Sequence, residues 1–90
     1  MNYVPDIEYI TEKLVDLLNI PSVSGNTDKA IDWLKKQFAD IGYEGCVNNK
    51  GALLVTIPGE NPGGERLLSA HVDTLGAMVF EVKSNGRLKL

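Results

Sequence analysis

Residues 67–79 read LLSAHVDTLGAMV, an apolar run that ends in polar side chains. Apolar residues point to both faces of this run, which predicts an interior β-strand over residues 66–72. His71 and Asp73 lie at its carboxyl end, and a strand directs residues i and i+2 to the same side. Because unpaired polar groups are costly to bury, we expect either a hydrogen-bond partner or a metal ion beside them.

The residues before this stretch predict two helices and a hairpin. Apolar side chains recur at helical spacing over residues 7–19 and 28–41. Asp6 and Thr27 are suited to cap these helices, and Gly42 is suited to end the second. Residues 43–48 and 52–57 then predict two short strands joined by a turn at residues 49–51.

A second hairpin is predicted after residue 77. Residues 78–83 and 87–90 flank Ser84-Asn85-Gly86, and the Asn-Gly pair favours a type I′ turn. The order of helix, helix and then strands predicts an α/β fold, with two N-terminal helices packed on a mixed sheet. The last predicted strand ends at the final residue, so we expect a truncated chain.

Composition excludes several classes of protein. The chain has 90 residues, a net charge of −3 and no long basic cluster, so nucleic acid and membrane surfaces are not expected partners. The single cysteine, Cys46, excludes an internal disulfide and a structural zinc module. The N-terminus lacks the pattern of a signal peptide, which predicts a cytoplasmic protein.

The spacing of His71 and Asp73 leaves two interpretations open. A metal-bound histidine usually donates its second ring N–H to a carboxylate, and His-x-Asp on a strand could supply that pair. A catalytic zinc needs about three protein ligands, however, and His71 is the only histidine of the chain. From spacing alone, a histidine simply hydrogen-bonded to an aspartate is favoured over a metal ligand.

A family resemblance favours the interpretation of His71 as a metal ligand. The segment IPSVSG at residues 20–25 and the segment AHVDTLGAMV at residues 70–79 resemble co-catalytic metallopeptidases of the glutamyl and tetrahedral aminopeptidase family. The chain also resembles, less closely, the related peptidase T-like dipeptidases and carboxypeptidases. The resemblance implies that residues 1–77 are the N-terminal part of a catalytic domain. Residues 78–90 would begin an inserted β-rich domain.

The same resemblance implies a function and a site. The intact protein would be a metallo-aminopeptidase that removes N-terminal residues from peptides and works as a homo-oligomer. It would use two divalent metal ions, zinc or cobalt, with His71 as a ligand of one and Asp73 as the catalytic carboxylate beside it. The family's other ligands and its general base have no counterpart here, so the 90-residue chain itself is expected to be inactive. A dipeptidase or carboxypeptidase, or a non-catalytic interaction module, is the alternative.

Overall fold

Both helices form where the apolar spacing predicts them. In the computed structural model, which describes residues 3–90, α1 spans Ile7–Leu18 and α2 spans Asp28–Asp40. The carboxylate of Asp6 caps α1 by accepting a hydrogen bond of 3.0 Å from the backbone N–H of Tyr9. Thr27 stands at the matching position before α2 but makes no side-chain capping bond, contrary to the prediction. Its ψ of 5° departs from the extended backbone that a capping side chain normally needs.

The strands pair as two antiparallel hairpins. Strand β1 (Gly45–Val47) pairs with β2 (Leu53–Val55), and Cys46 lies opposite Leu54. Strand β3 (Glu81–Val82) pairs with β4 (Leu88–Lys89). Both hairpins are therefore confirmed at their predicted positions, with shorter strands than the sequence pattern suggests.

The turn of the second hairpin differs from the prediction. Type I′ requires positive φ at both central residues, yet Asn85 has no positive φ and only Gly86, with φ of 83°, adopts the left-handed region. Gly86 N donates to Lys83 O, and Lys83 N donates to Arg87 O. The connection is therefore a three-residue loop that ends in a glycine in the left-handed region. In this geometry Asn85 does not need a positive φ.

The segment at residues 66–72 is not a regular strand, which contradicts the prediction from its apolar pattern. A strand needs a hydrogen-bonded neighbour, and none of the described residues pairs with this segment. Within residues 3–90, the β-pairing nearest to the end of this segment is a single parallel bridge between Val23 and Thr74. An apolar pattern alone therefore does not produce a strand, because the hydrogen-bonded neighbour has to come from another segment.

The packed part of the chain consists of α2 and the β1–β2 hairpin. Helix α2 contacts both strands, and Ala30 and Ile31 on its inner face are buried together with Gly45. Helix α1 has no buried residue and is joined to α2 by a 2.6 Å hydrogen bond from Lys13 Nζ to Gln37 Oε1. The predicted α/β class is confirmed, and within residues 3–90 its sheets are antiparallel rather than mixed.

Much apolar surface stays uncovered. Leu68 is 97% exposed, and Leu67, Leu75 and Phe80 are also largely in solvent. The radius of gyration is 17.9 Å, whereas a compact domain of this length has about 12 Å. Neither helix in residues 3–90 is long and apolar enough to cross a bilayer. The exposed leucines therefore form surface that a folded protein normally covers with further structure.

We expect residues 1–90 in isolation to self-associate. The exposed leucines at residues 67 and 68 lie on a segment without strand pairing in residues 3–90, which offers both apolar area and backbone groups to another chain. Sedimentation velocity over a concentration series should show a rising mean mass. The variant Leu68→Lys should reduce this association, because a charge on an exposed edge opposes pairing. A monomer at every concentration would contradict the expectation.

Candidate metal-ligand site

Two segments far apart in sequence meet at the site. The backbone N–H of Thr74 donates to Ser22 O at 2.7 Å, and the hydroxyl of Thr74 donates to the same oxygen at 3.2 Å. The hydroxyl of Ser24 donates to Asp73 Oδ2 at 2.7 Å. We call these contacts, together with the bridge between Val23 and Thr74, the clasp. The clasp fixes the loop after α1 against the end of the residue 66–72 segment.

His71 and Asp73 form a close pair beside the clasp. Nδ1 of the His71 ring lies 3.0 Å from Asp73 Oδ1 and 3.1 Å from the Asp73 backbone oxygen. The i, i+2 relation predicted that both side chains point to one side, and the structure brings them together although the segment lacks strand pairing. The His71 side chain is 83% exposed and that of Asp73 is 43% exposed, so the pair faces solvent.

The two contacts determine the tautomer of the neutral ring. Both atoms near Nδ1 are oxygens without a proton, so Nδ1 must carry the hydrogen and donate it. In the neutral imidazole, Nε2 then keeps its lone pair. Because the His71 side chain is largely exposed, that lone pair is accessible to a ligand from solvent. Asp73 thus leaves Nε2 as the nitrogen that can bind a metal ion.

Asp73 is held in its ionised form. The hydroxyl of Ser24, by donating to the carboxylate, is the main cause that lowers the pKa of Asp73 below its ordinary value. Desolvation is the second largest effect and raises this pKa, while the hydrogen bond to the Asp73 backbone and the contact with His71 lower it further. An ionised carboxylate accepts the Nδ1 proton more strongly than a neutral acid would.

The chemistry of the His71–Asp73 pair fits one ligand of a metal site. An imidazole whose second nitrogen donates to a carboxylate is the arrangement typical of metal-bound histidine. Across residues 3–90, no group of three or more His, Cys, Asp or Glu side chains comes close enough to hold a metal ion. The described residues therefore can supply one ligand and its supporting carboxylate, and a complete site needs ligands from elsewhere.

A groove of about 830 Å³ runs beside the pair. Its walls come from the inner face of α2, from the β1–β2 hairpin and from residues 68 and 70–73, and they include the apolar side chains of Leu34, Phe38 and Val55. Ser24, His71 and Asp73 also line the groove. The clasp thus holds the histidine where an apolar groove meets solvent.

Ser24 is the site residue that sequence reasoning did not assign. The sequence places it within the IPSVSG segment, which carried the family resemblance but no role for the serine. Its partner Asp73 is 49 residues away, so no local spacing connects the two side chains. The one available signal was the coincidence of a Ser-x-Ser-Gly loop with a later His-x-Asp.

Comparison with known proteins shows sequence similarity to aminopeptidases. A sequence model of the M42 glutamyl aminopeptidase family matches residues 51–90, the part of the chain that carries His71 and Asp73. The "Putative aminopeptidase YhfE" of Bacillus subtilis (strain 168) is 44% identical over 79 residues, which cover 88% of this chain and 23% of that protein. This chain is similar to aminopeptidases along most of its length.

A second relative shows the same similarity at a greater distance. The "Glutamyl aminopeptidase" of Lactococcus lactis subsp. cremoris (strain MG1363) is 28% identical over 80 residues, which cover 88% of this chain and 22% of that protein. The chain therefore spans less than a quarter of the length of the curated relatives it matches.

Proposed function

We propose that residues 1–90 form the N-terminal segment of a metal-dependent aminopeptidase. The observation that carries this proposal is the His71–Asp73 pair, which leaves Nε2 of the ring accessible in a chain similar to aminopeptidases. The uncovered apolar surface around residues 67–75 also supports a larger protein, because such surface is normally buried by further structure. Residues 78–90 would begin an inserted domain, and the cytoplasm is the proposed location.

In this proposal each residue has a defined role. Nε2 of His71 binds one of two divalent ions, zinc or cobalt, while Asp73 accepts the Nδ1 proton and so orients the ring. The bound metals would supply Lewis-acid polarisation of the scissile carbonyl and a water of lowered pKa. The general base and the other ligands are not assigned to any residue of this chain. The substrate would be a peptide with a free N-terminus, and the intact enzyme would be a homo-oligomer.

Assays of the full-length protein test this proposal. After metal removal, added zinc or cobalt should restore hydrolysis of aminoacyl anilides and of unblocked peptides, while N-acetylated peptides should stay intact. Residues 1–90 alone should be inactive with the same substrates, because residues 3–90 bring together no group of three metal-binding side chains.

The same assays decide between the alternatives. Cleavage confined to dipeptides, or cleavage from the carboxyl end, would favour the related dipeptidase or carboxypeptidase instead. Absence of any metal-dependent hydrolysis by the folded full-length protein would favour a non-catalytic module and contradict the proposal.

A further inference from the structure

Both oxygens of the Asp73 carboxylate are engaged, each by a different part of the chain. Oδ1 faces the His71 ring nitrogen at 3.0 Å, and Oδ2 accepts the hydroxyl proton of Ser24 at 2.7 Å. The terminal torsion of an aspartate is broad, so a carboxylate held at one oxygen only can rotate. The second contact from Ser24 therefore restricts the orientation in which Oδ1 meets the imidazole.

The backbone that directly precedes Ser24 is held in place by contacts with residues 74 and 76. Ser22 O accepts two hydrogen bonds from Thr74, and Val23 bridges to the same residue. Gly76 packs so closely on Val23 that a Cβ at this glycine would overlap the Cγ2 methyl of the valine. The hydroxyl of Ser24 is therefore presented to Asp73 by a loop with little freedom to withdraw.

We propose that Ser24 is a positioning residue for the metal ligand. Its hydroxyl holds Oδ2 of Asp73, so that Oδ1 retains the Nδ1 proton of His71 and Nε2 stays directed to the metal. Ser24 acts through Asp73 and His71 and contacts neither the metal nor the peptide. The inference rests on the proposed function for its metal, but the clasp that carries it is a property of these residues alone.

The first test replaces the hydroxyl in the full-length protein. Ser24→Ala should weaken zinc binding, measured by chelator competition, by roughly threefold to tenfold, which is less than the 10–100-fold typical of losing the carboxylate itself. kcat should fall while KM stays unchanged, because Ser24 contacts no substrate. Ser24→Thr keeps a hydroxyl at an exposed position and should restore both values.

Ser84→Ala is the matched control. It makes the same chemical change at an exposed serine in the turn of the second hairpin, outside the clasp. Because Ser84 takes no part in the contacts that join Ser24, Asp73 and His71, zinc affinity, kcat and protein stability should all stay unchanged.

A spectroscopic measurement reports on the positioning directly. In metal-free protein at a pH at which histidine is neutral, the ¹⁵N chemical shifts of His71 should show Nδ1 protonated and Nε2 without a proton. Comparison with a His71→Gln sample assigns the resonances. Ser24→Ala should shift this ring toward a mixture of tautomers, and Ser24→Thr should restore the wild-type spectrum. A serine that only stabilised the loop would leave the tautomer unchanged.

A steric variant tests the clasp without altering any polar group. Gly76→Ala should push Val23 away and so weaken zinc binding about as much as Ser24→Ala does. The double variant Gly76→Ala/Val23→Ala removes both valine γ-methyl groups and should restore the affinity. This pair decides the question even if Ser24→Ala does not fold.

The possible negative results fall into two kinds, which have different meanings. An active, zinc-loaded wild-type protein whose Ser24→Ala variant keeps its zinc affinity, kcat and His71 tautomer would overturn the positioning role alone. A clasp opened by Gly76→Ala with unchanged zinc affinity would overturn it as well. A wild-type protein that binds no metal would overturn the proposed function, and the metal part of this inference with it.

Discussion

Replacing His71 by alanine should nearly abolish metal-dependent turnover of the full-length protein. The variant removes the ring nitrogen that the Asp73 contact leaves accessible, so one metal loses a direct bond. A catalytic metal contributes several kcal/mol to transition-state stabilisation, and each 1.36 kcal/mol is a tenfold change in rate. We therefore expect kcat to fall by about a thousandfold or more, with metal content reduced in elemental analysis.

Stability measurements separate this ligand role from a structural one. The His71 side chain is 83% exposed, so alanine should change the unfolding free energy of the metal-free protein by no more than about 0.5 kcal/mol. Added imidazole should recover part of the activity, because it can occupy the vacated coordination position. Folded His71→Ala with full metal occupancy and normal turnover would end the ligand assignment.

Local patterns in the sequence predicted the elements that depend on local contacts. The helical spacing and the Asp6 cap gave α1 to within one residue of its observed end at Leu18. The His71–Asp73 pair likewise follows from a separation of two residues, and the structure confirms their proximity. In each case the decisive contact lies within a few residues, where backbone geometry alone sets the direction of a side chain.

The errors concern contacts that are not local or that need fine backbone geometry. Residues 66–72 carry a strand pattern, but pairing requires a partner that the described residues do not provide. The role of Ser24 depends on a partner 49 residues away, which no periodicity encodes. The turn at Asn85 was misassigned because Asn-Gly also fits a loop in which only the glycine has positive φ.

The two kinds of contact are joined at Asp73. Its link to His71 is local and could be predicted, whereas its link to Ser24 arises only when the loop after α1 meets residues 73–74. The orientation of the candidate ligand therefore depends on tertiary structure, although its residue type and position can be read from the sequence. A short motif of this kind specifies a metal ligand only within a fold that holds its carboxylate.

Asp73→Asn should weaken metal binding and lower kcat by roughly 10–100-fold while the protein stays folded. Asparagine has the same shape and keeps one oxygen, which can still accept the Nδ1 proton of His71, and its amide group can donate to the hydroxyl of Ser24. The change thus preserves most of the geometry and removes the charge. A neutral acceptor makes the imidazole less basic, which weakens its bond to the metal.

Asp73→Ala should be more severe, because it leaves both the His71 ring and the Ser24 hydroxyl without their acceptor. Asp16→Asn on helix α1 is the matched control: it removes the same charge from an exposed helix position and should change neither metal affinity nor kcat. Zinc affinity, measured by chelator competition, and kcat should therefore be highest in wild type and Asp16→Asn. Both should be lower in Asp73→Asn and lowest in Asp73→Ala. Equal zinc affinity in all four folded proteins would mean that His71 binds no metal through this pair, and that Asp73 serves only to join the loop after α1 to the residue 66–72 segment.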